Sequence, residues 1–176
     1  MKKWKSLLSL AAVVAVGGVL LSGCGSTSKS SSSSAEATRT IKTSTGKLKF
    51  PSHPKRIVTN VDTGDVLSLG GHVVGATATD LASPYISKAT RSSIKNLGLT
   101  LKAEAVLKLK PDLIVTSNEA DVKALKKIAP VVYVPYGSTG NIEQTATKFG
   151  QILNRQKQAT AWNTKSKQQA TTNQAK

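Results

Sequence analysis

The chain predicts an α/β fold: an open, mostly parallel sheet with flanking helices, ending in a long helix. Two observations carry this. Short segments apolar on both faces recur at residues 56–60, 72–77, 112–116 and 131–134, and strands covered on both sides read as continuous apolar runs rather than as alternation. Helical patterns and helix-capping residues lie between them, the order that a parallel sheet needs for its right-handed crossovers.

Taken in order, residues 40–43 and 47–50 flank Ser44, Thr45 and Gly46, a turn composition that predicts a hairpin. The first sheet strand is RIVTN at 56–60. Asp62, Thr63, Gly64 and Asp65 then favour a helix start, and Gly70 and Gly71 close the apolar stretch at 66–69. HVVGAT at 72–77 is the second strand. Residues 103–109 form a short helix, stopped by Pro111, which has no N–H to give and clashes with the preceding turn. DLIVT at 112–116 is the next strand. Asn118 can cap a helix in which Val122, Leu125 and Ile128 recur every three residues, and Pro130 ends it before the strand VVYV at 131–134. Finally Ile142, Ala146, Phe149 and Leu153 step at 4, 3 and 4, the spacing of one helix face. That helix is predicted to continue through Trp162 into a Gln- and Lys-rich stretch, and to fray beyond about Lys165, because helix without packing is marginal.

Ligands of open α/β sheets sit at the carboxyl ends of the strands, so the loops after Asn60, Thr77, Thr116 and Val134 are predicted to line one rim. Tyr85 and Tyr136 follow strands there. A phenol ring can pack on a ligand while its hydroxyl makes a hydrogen bond, although either residue also fits as an ordinary half-buried loop tyrosine. Asn60, Thr77, Thr116, Ser117 and Asn118 add polar groups to the same rim by position rather than by residue type.

The amino terminus points outside the cytoplasm. Lys2, Lys3 and Lys5 precede an apolar run of 15 residues from Leu7 to Leu21, shorter than the roughly 18 to 20 that span a bilayer. The run ends in LSGC with Cys24, the only cysteine in the chain. This reads as a signal peptide with a lipidation box, so the mature chain is expected to start at a lipid-modified Cys24 on the outer face of the cytoplasmic membrane, where two acyl chains hold firmly. Residues 24–37 are Ser-rich and read as a tether. The predicted organisation is therefore signal peptide at 1–23, tether at 24–37, an α/β ligand-binding lobe at 38–140 and an amphipathic helix at 141–176.

Removing Lys2, Lys3 and Lys5 from the 25 basic residues leaves 22 against 9 acidic, a net charge of +13. The basic residues are dispersed and aromatics are scarce, which argues against a nucleic-acid surface and for adaptation to an anionic envelope. The two histidines, His53 and His72, lie on separate segments with cysteine consumed by lipid, so no metal site built by the protein is expected. No GxSxG elbow is present, and no catalytic residue is assigned.

The lipidation box, PKRIV at 54–58, DVLSLGG followed by HVVGAT, NLGLTLKAEAVLKLKPDLIV at 96–115 and KKIAPVVYVPYG at 126–137 together resemble the substrate-binding lipoproteins of iron-siderophore and vitamin B12 importers. SPY at 83–85 and IAPVVYVPYG resemble most the Gram-positive members for ferric hydroxamates or related siderophores. The resemblance implies two lobes joined by a long helix and closing on a ferric siderophore, with iron arriving inside its chelator and no further cofactor. It implies an ABC permease as partner, and it matches Glu104 to the glutamate that docks the permease; a first-turn glutamate favoured by the helix dipole is the plainer account of that residue. The chain ends at Lys176, inside the connecting helix on this reading, so only the N-terminal lobe is expected. A basic surface lipoprotein that contacts wall or host polymers, with no small ligand, is the alternative.

Overall fold

The protein is described here from a computed structural model, over residues 36–174. The expected signal peptide, Cys24 and the expected tether up to residue 35 lie outside the described residues.

The chain enters on a hairpin. Strands β1 (Thr38–Thr43) and β2 (Gly46–Pro51) pair antiparallel from Thr38 opposite Pro51 to Thr43 opposite Gly46, so the turn is Ser44 and Thr45 alone. Gly46 sits at φ 115°, a conformation open to a residue without Cβ. Ile41, Leu48 and the fully buried Phe50 face the core, and the opposite face of the hairpin is exposed.

The five-stranded sheet has the order β5 (Lys95–Asn96), β4 (Val73–Ala76), β3 (Ile57–Thr59), β6 (Leu113–Thr116), β7 (Val131–Tyr133), every pair parallel. Its first strand lies at the centre, and the chain winds outward one way and then the other. The topological switch point therefore falls between β3 and β6. Alternate side chains serve opposite faces. Ile57, Leu113, Val115 and Val132 join a core with Phe50, Val66, Phe149 and Ile152, whereas Val58, Ile114 and Val131 join a second core with Leu97, Val106 and Leu125. One layer of cover comes from α1 (Thr63–Ser68), α6 (Ile142–Leu153) and the hairpin; the other comes from α4 (Ala103–Lys108) and α5 (Glu119–Leu125).

Three elements escape the pattern of the sequence. The edge strand β5 is two exposed polar residues, held by pairing with Gly75 and Ala76 rather than by burial of its own side chains. Helix α2 (Ala78–Leu81) is a single turn, and α3 (Lys88–Ser93) buries nothing, resting on its cap, Ser87, whose Oγ accepts from the Thr90 N–H at 3.1 Å.

The end of the chain corrects one expectation. The predicted continuous helix is two helices, because Asn154 takes a left-handed φ of 57° and α7 (Gln156–Gln174) folds back antiparallel along α6. Gly150 makes the reversal possible: a Cβ there would lie 2.6 Å from that of Ala159. Asn163 Nδ2 donates to Glu143 O at 3.1 Å, joining the far ends of the pair. Helix α7 runs to Gln174, and its Gln, Ala and Lys residues are sound helix formers. Ile142, expected on the buried face of α6, is 59% exposed in the first turn.

Candidate functional site

The carboxyl ends of the five strands form one rim, and two polar networks divide it. On the β6 side, the Asp121 carboxylate is 8% exposed and accepts three hydrogen bonds: from Thr116 Oγ1 at 2.7 Å, Asn60 Nδ2 at 3.3 Å and Asn118 Nδ2 at 3.3 Å. Asn60 Oδ1 in turn accepts from the Ser117 N–H at 3.0 Å, and Asn118 Oδ1 caps α5 by accepting from the Ala120 N–H. Asn60, Thr116, Ser117 and Asn118, predicted separately as ligand contacts, are thus drawn together into a latch across the switch point. Thr116 is fully buried with its hydroxyl turned to Asp121, and Thr77 is buried at the start of α2. Neither hydroxyl faces an open rim. Asp121 was not singled out from sequence; the signal was Asn118 followed three residues later by an acid, the spacing of a capping box.

On the β3 and β4 side lie three further carboxylates. Thr63 donates to Asp80 Oδ2 through its backbone N–H at 3.1 Å and through its hydroxyl. Asp62 has a left-handed backbone, φ 51° and ψ 35°, and no capping bond from its side chain. Its burial, then the nearby Asp65 and Asp80 charges, push its carboxyl up to about 6. Asp65 is also raised, chiefly by burial, against a backbone hydrogen bond that opposes the shift.

Two of the predicted residues stand in solvent. Tyr85, in the turn between α2 and α3, and Tyr136, in the loop after β7, are 92% and 89% exposed. The turn that carries Tyr85 is fastened from beneath: Arg91 Nη2 donates to Ser83 O at 3.0 Å and to Ile86 O at 3.1 Å, and Ile86 is buried. Glu104 is exposed in the first turn of α4, at the helix end that faces the rim. The histidines stand apart from the rim. His72 Nδ1 bonds Lys55 O, and His53 Nε2 lies 3.4 Å from Asn154 Nδ2. Among the described residues no group of three or more His, Cys, Asp or Glu is placed to hold a metal ion, and no helix is long and apolar enough to cross a membrane.

Comparison with known proteins matches this architecture. The chain is 42% identical over 140 residues to the iron(3+)-hydroxamate-binding protein YxeB of Bacillus subtilis, covering 78% of this chain and 43% of that protein. A FhuD fold-family periplasmic binding protein of a Fep/Fec-like ferrichrome ABC transporter from Bacillus subtilis superposes with a TM-score of 0.67 at 32% identity, over 75% of this chain and 49% of that one. Staphylococcus aureus SirA, solved with staphyloferrin B, gives a TM-score of 0.61 at 32% identity, over 72% and 46%. The chain spans about half the length of the curated relatives it matches, 43% to 50%. The profile of the periplasmic binding proteins matches residues 57–175, from the first strand of the sheet to the last helix, and the chain belongs to that family.

Proposed function

We propose that this chain supplies one lobe of a ferric-siderophore receptor of the hydroxamate type, which captures its ligand outside the cell and hands it to the permease of an ABC importer. The observation that carries the reading is the pair of tyrosines, 92% and 89% exposed on loops from opposite halves of the sheet at the rim where such folds bind ligands. Their rings fit the apolar backbone of a chelator, and their hydroxyls can donate to the outward lone pairs of the iron-bound hydroxamate oxygens. Iron is cargo here, already wrapped, so the protein needs no metal ligands of its own. The named ligands of the relatives, an iron(3+) hydroxamate, ferrichrome and staphyloferrin B, support a ferric chelate as the class.

Two further parts belong to the same reading. Exposed Glu104 supports docking on the permease, where a rim charge acts mainly on encounter and register. Cys24 is the lipid acceptor that keeps the receptor at the outer face of the membrane. Labelled palmitate should enter the parent and not a Cys24→Ala chain; equal labelling removes the anchor from the proposal.

The test of the ligand is a titration of the protein with ferric hydroxamates, ferrichrome first, followed by intrinsic fluorescence. One rim touches one face of a ligand, whereas tight pockets enclose about 70 to 90% of it. Keeping roughly half of the −12 kcal/mol that corresponds to nanomolar binding leaves about −6, a Kd of tens of micromolar. Saturation in that range, weakened by Tyr136→Ala, is the expected result. Absence of binding by any ferric chelate at millimolar concentration sinks the proposal, and low-nanomolar binding by the monomer sinks the one-face argument.

A further inference from the structure

We propose that the outward face of the β1–β2 hairpin docks on the anionic phospholipid headgroups of the bilayer; the inference rests on the reading of Cys24 as lipid-anchored. Residues 38–51 hold Arg39, Lys42, Lys47 and Lys49 and no acidic residue. The register sets Lys42 directly opposite Lys47, and sets Lys49 opposite Thr40, two residues along β1 on the same face. All three lysines are exposed. Like charges placed directly opposite destabilise a pair of strands. Nothing in the hairpin offsets this, and among the described residues the only ion pair joins Lys55 to Glu36 at 2.9 Å.

The face is also held in place. Ile41, Leu48 and Phe50 pin the opposite side to the core, Ser44 Oγ donates to Tyr133 O at 3.2 Å at the tip, and Ser52 N donates to Ala37 O at 2.7 Å at the base. The lysines cannot turn inward. Three ammonium groups on an outward face, with no carboxylate in the hairpin, complement a surface that carries many negative charges. The face has no aromatic side chain on which a nucleic-acid base would stack. The hairpin is the first element of the fold, and Thr38 lies 14 residues after Cys24. Even a fully extended chain of that length reaches only roughly 50 Å, so a lipid on Cys24 keeps the hairpin within reach of the headgroups, where each lysine that meets them gains about fivefold in partitioning.

The test compares full-length chains that sediment with vesicles of phosphatidylglycerol and phosphatidylcholine in equal parts, against phosphatidylcholine alone. The apolar run and Lys2, Lys3 and Lys5 are common to all chains and cancel in the ratio of variant to parent. Combining Lys42→Gln, Lys47→Gln and Lys49→Gln should lower the preference for the anionic vesicles on the order of a hundredfold. The corresponding three Lys→Arg changes should retain it, and salt at about 1 M should abolish it. A second charge-matched variant, Lys95→Gln, Lys102→Gln and Lys108→Gln at the opposite edge of the sheet, should change it far less. The proposal is overturned if the hairpin triple variant, folded by circular dichroism, keeps the parental preference, or if the two Gln triples lose it equally. Because the assay needs no lipid on Cys24, its failure leaves palmitate labelling to judge the anchor separately. Should the Gln triple fail to fold, loss of the preference in the folded Arg triple overturns the proposal instead.

Discussion

Two acidic neighbourhoods share the rim, and they are built on opposite principles. The loop after β6 buries one carboxylate, Asp121, and surrounds it with Thr116, Asn60 and Asn118 as donors. The loops after β3 and β4 bring together Asp62, Asp65 and Asp80, with hydrogen bonds reaching Asp80 from Thr63 while Asp62 is crowded by its neighbours. A buried charge with its hydrogen bonds satisfied ties elements together; half-buried charges of one sign are held at a cost. The first arrangement is a latch across the switch point, the second a store of electrostatic strain beside it.

The comparison breaks most sharply at Asp121. Asp121→Ala strands three donors in a largely buried place, and it should cost about 2 to 4 kcal/mol in a urea or thermal melt. Asp121→Asn keeps an acceptor and should cost less. An Ala variant as stable as the parent would show that the network is not a latch.

Asp62 should move the other way. Its carboxyl is raised from 3.8 to about 6, chiefly by burial, so the folded chain holds that proton more tightly than the unfolded chain does. The associated stability is fully present below about pH 4 and is lost as pH rises through about 6. Asp62 is partly exposed, and screening by solvent reduces the effect to on the order of 1 kcal/mol. Asp62→Asn should therefore stabilise the protein at pH 7 by about that amount, helped by the tolerance of Asn for positive φ, and should flatten the pH dependence between 4 and 6. Urea titrations across that range decide it; an unchanged slope ends the strain argument.

The tyrosines sharpen the contrast between latch and site. Tyr136→Ala should leave stability within about 0.5 kcal/mol, as exposed substitutions do, while weakening ferric hydroxamate binding several-fold. If instead Asn118→Ala abolishes binding and Tyr136→Ala leaves it alone, the polar network rather than the aromatic rim is the site. The smallest effect on the fold belongs to Glu104→Ala. It should leave melting and ligand affinity unchanged yet reduce capture of the permease in a pull-down, and capture at the parental level would remove its docking role.

Much of the fold was legible because its strands are apolar on both faces and its breaks fall at Pro111, Pro130 and paired glycines. Asn118 caps α5, as its place before apolar spacing implies, and the structure adds Asn141 as the cap of α6. The site was less legible. Rim position put Asn60, Thr116, Ser117 and Asn118 on one list of ligand contacts and the structure joins them in one network, but proximity to a rim does not say which way a side chain turns. Asp121 turned Asn60, Thr116 and Asn118 inward, and a single acid in a helical segment carries no mark of the three donors that will meet it.

By itself the sequence determined the parallel α/β architecture, the rim that carries Tyr85 and Tyr136, and the family resemblance, because periodicity, proline breaks and capping residues act over a few neighbours. Only the tertiary structure decided what depends on distant partners. The left-handed Asn154 turns α7 back against Gly150, the pairing with β4 makes a strand of Lys95 and Asn96, and the hairpin register sets Lys42 against Lys47. Each outcome rests on a close approach or a pairing between residues whose own side chains do not encode it.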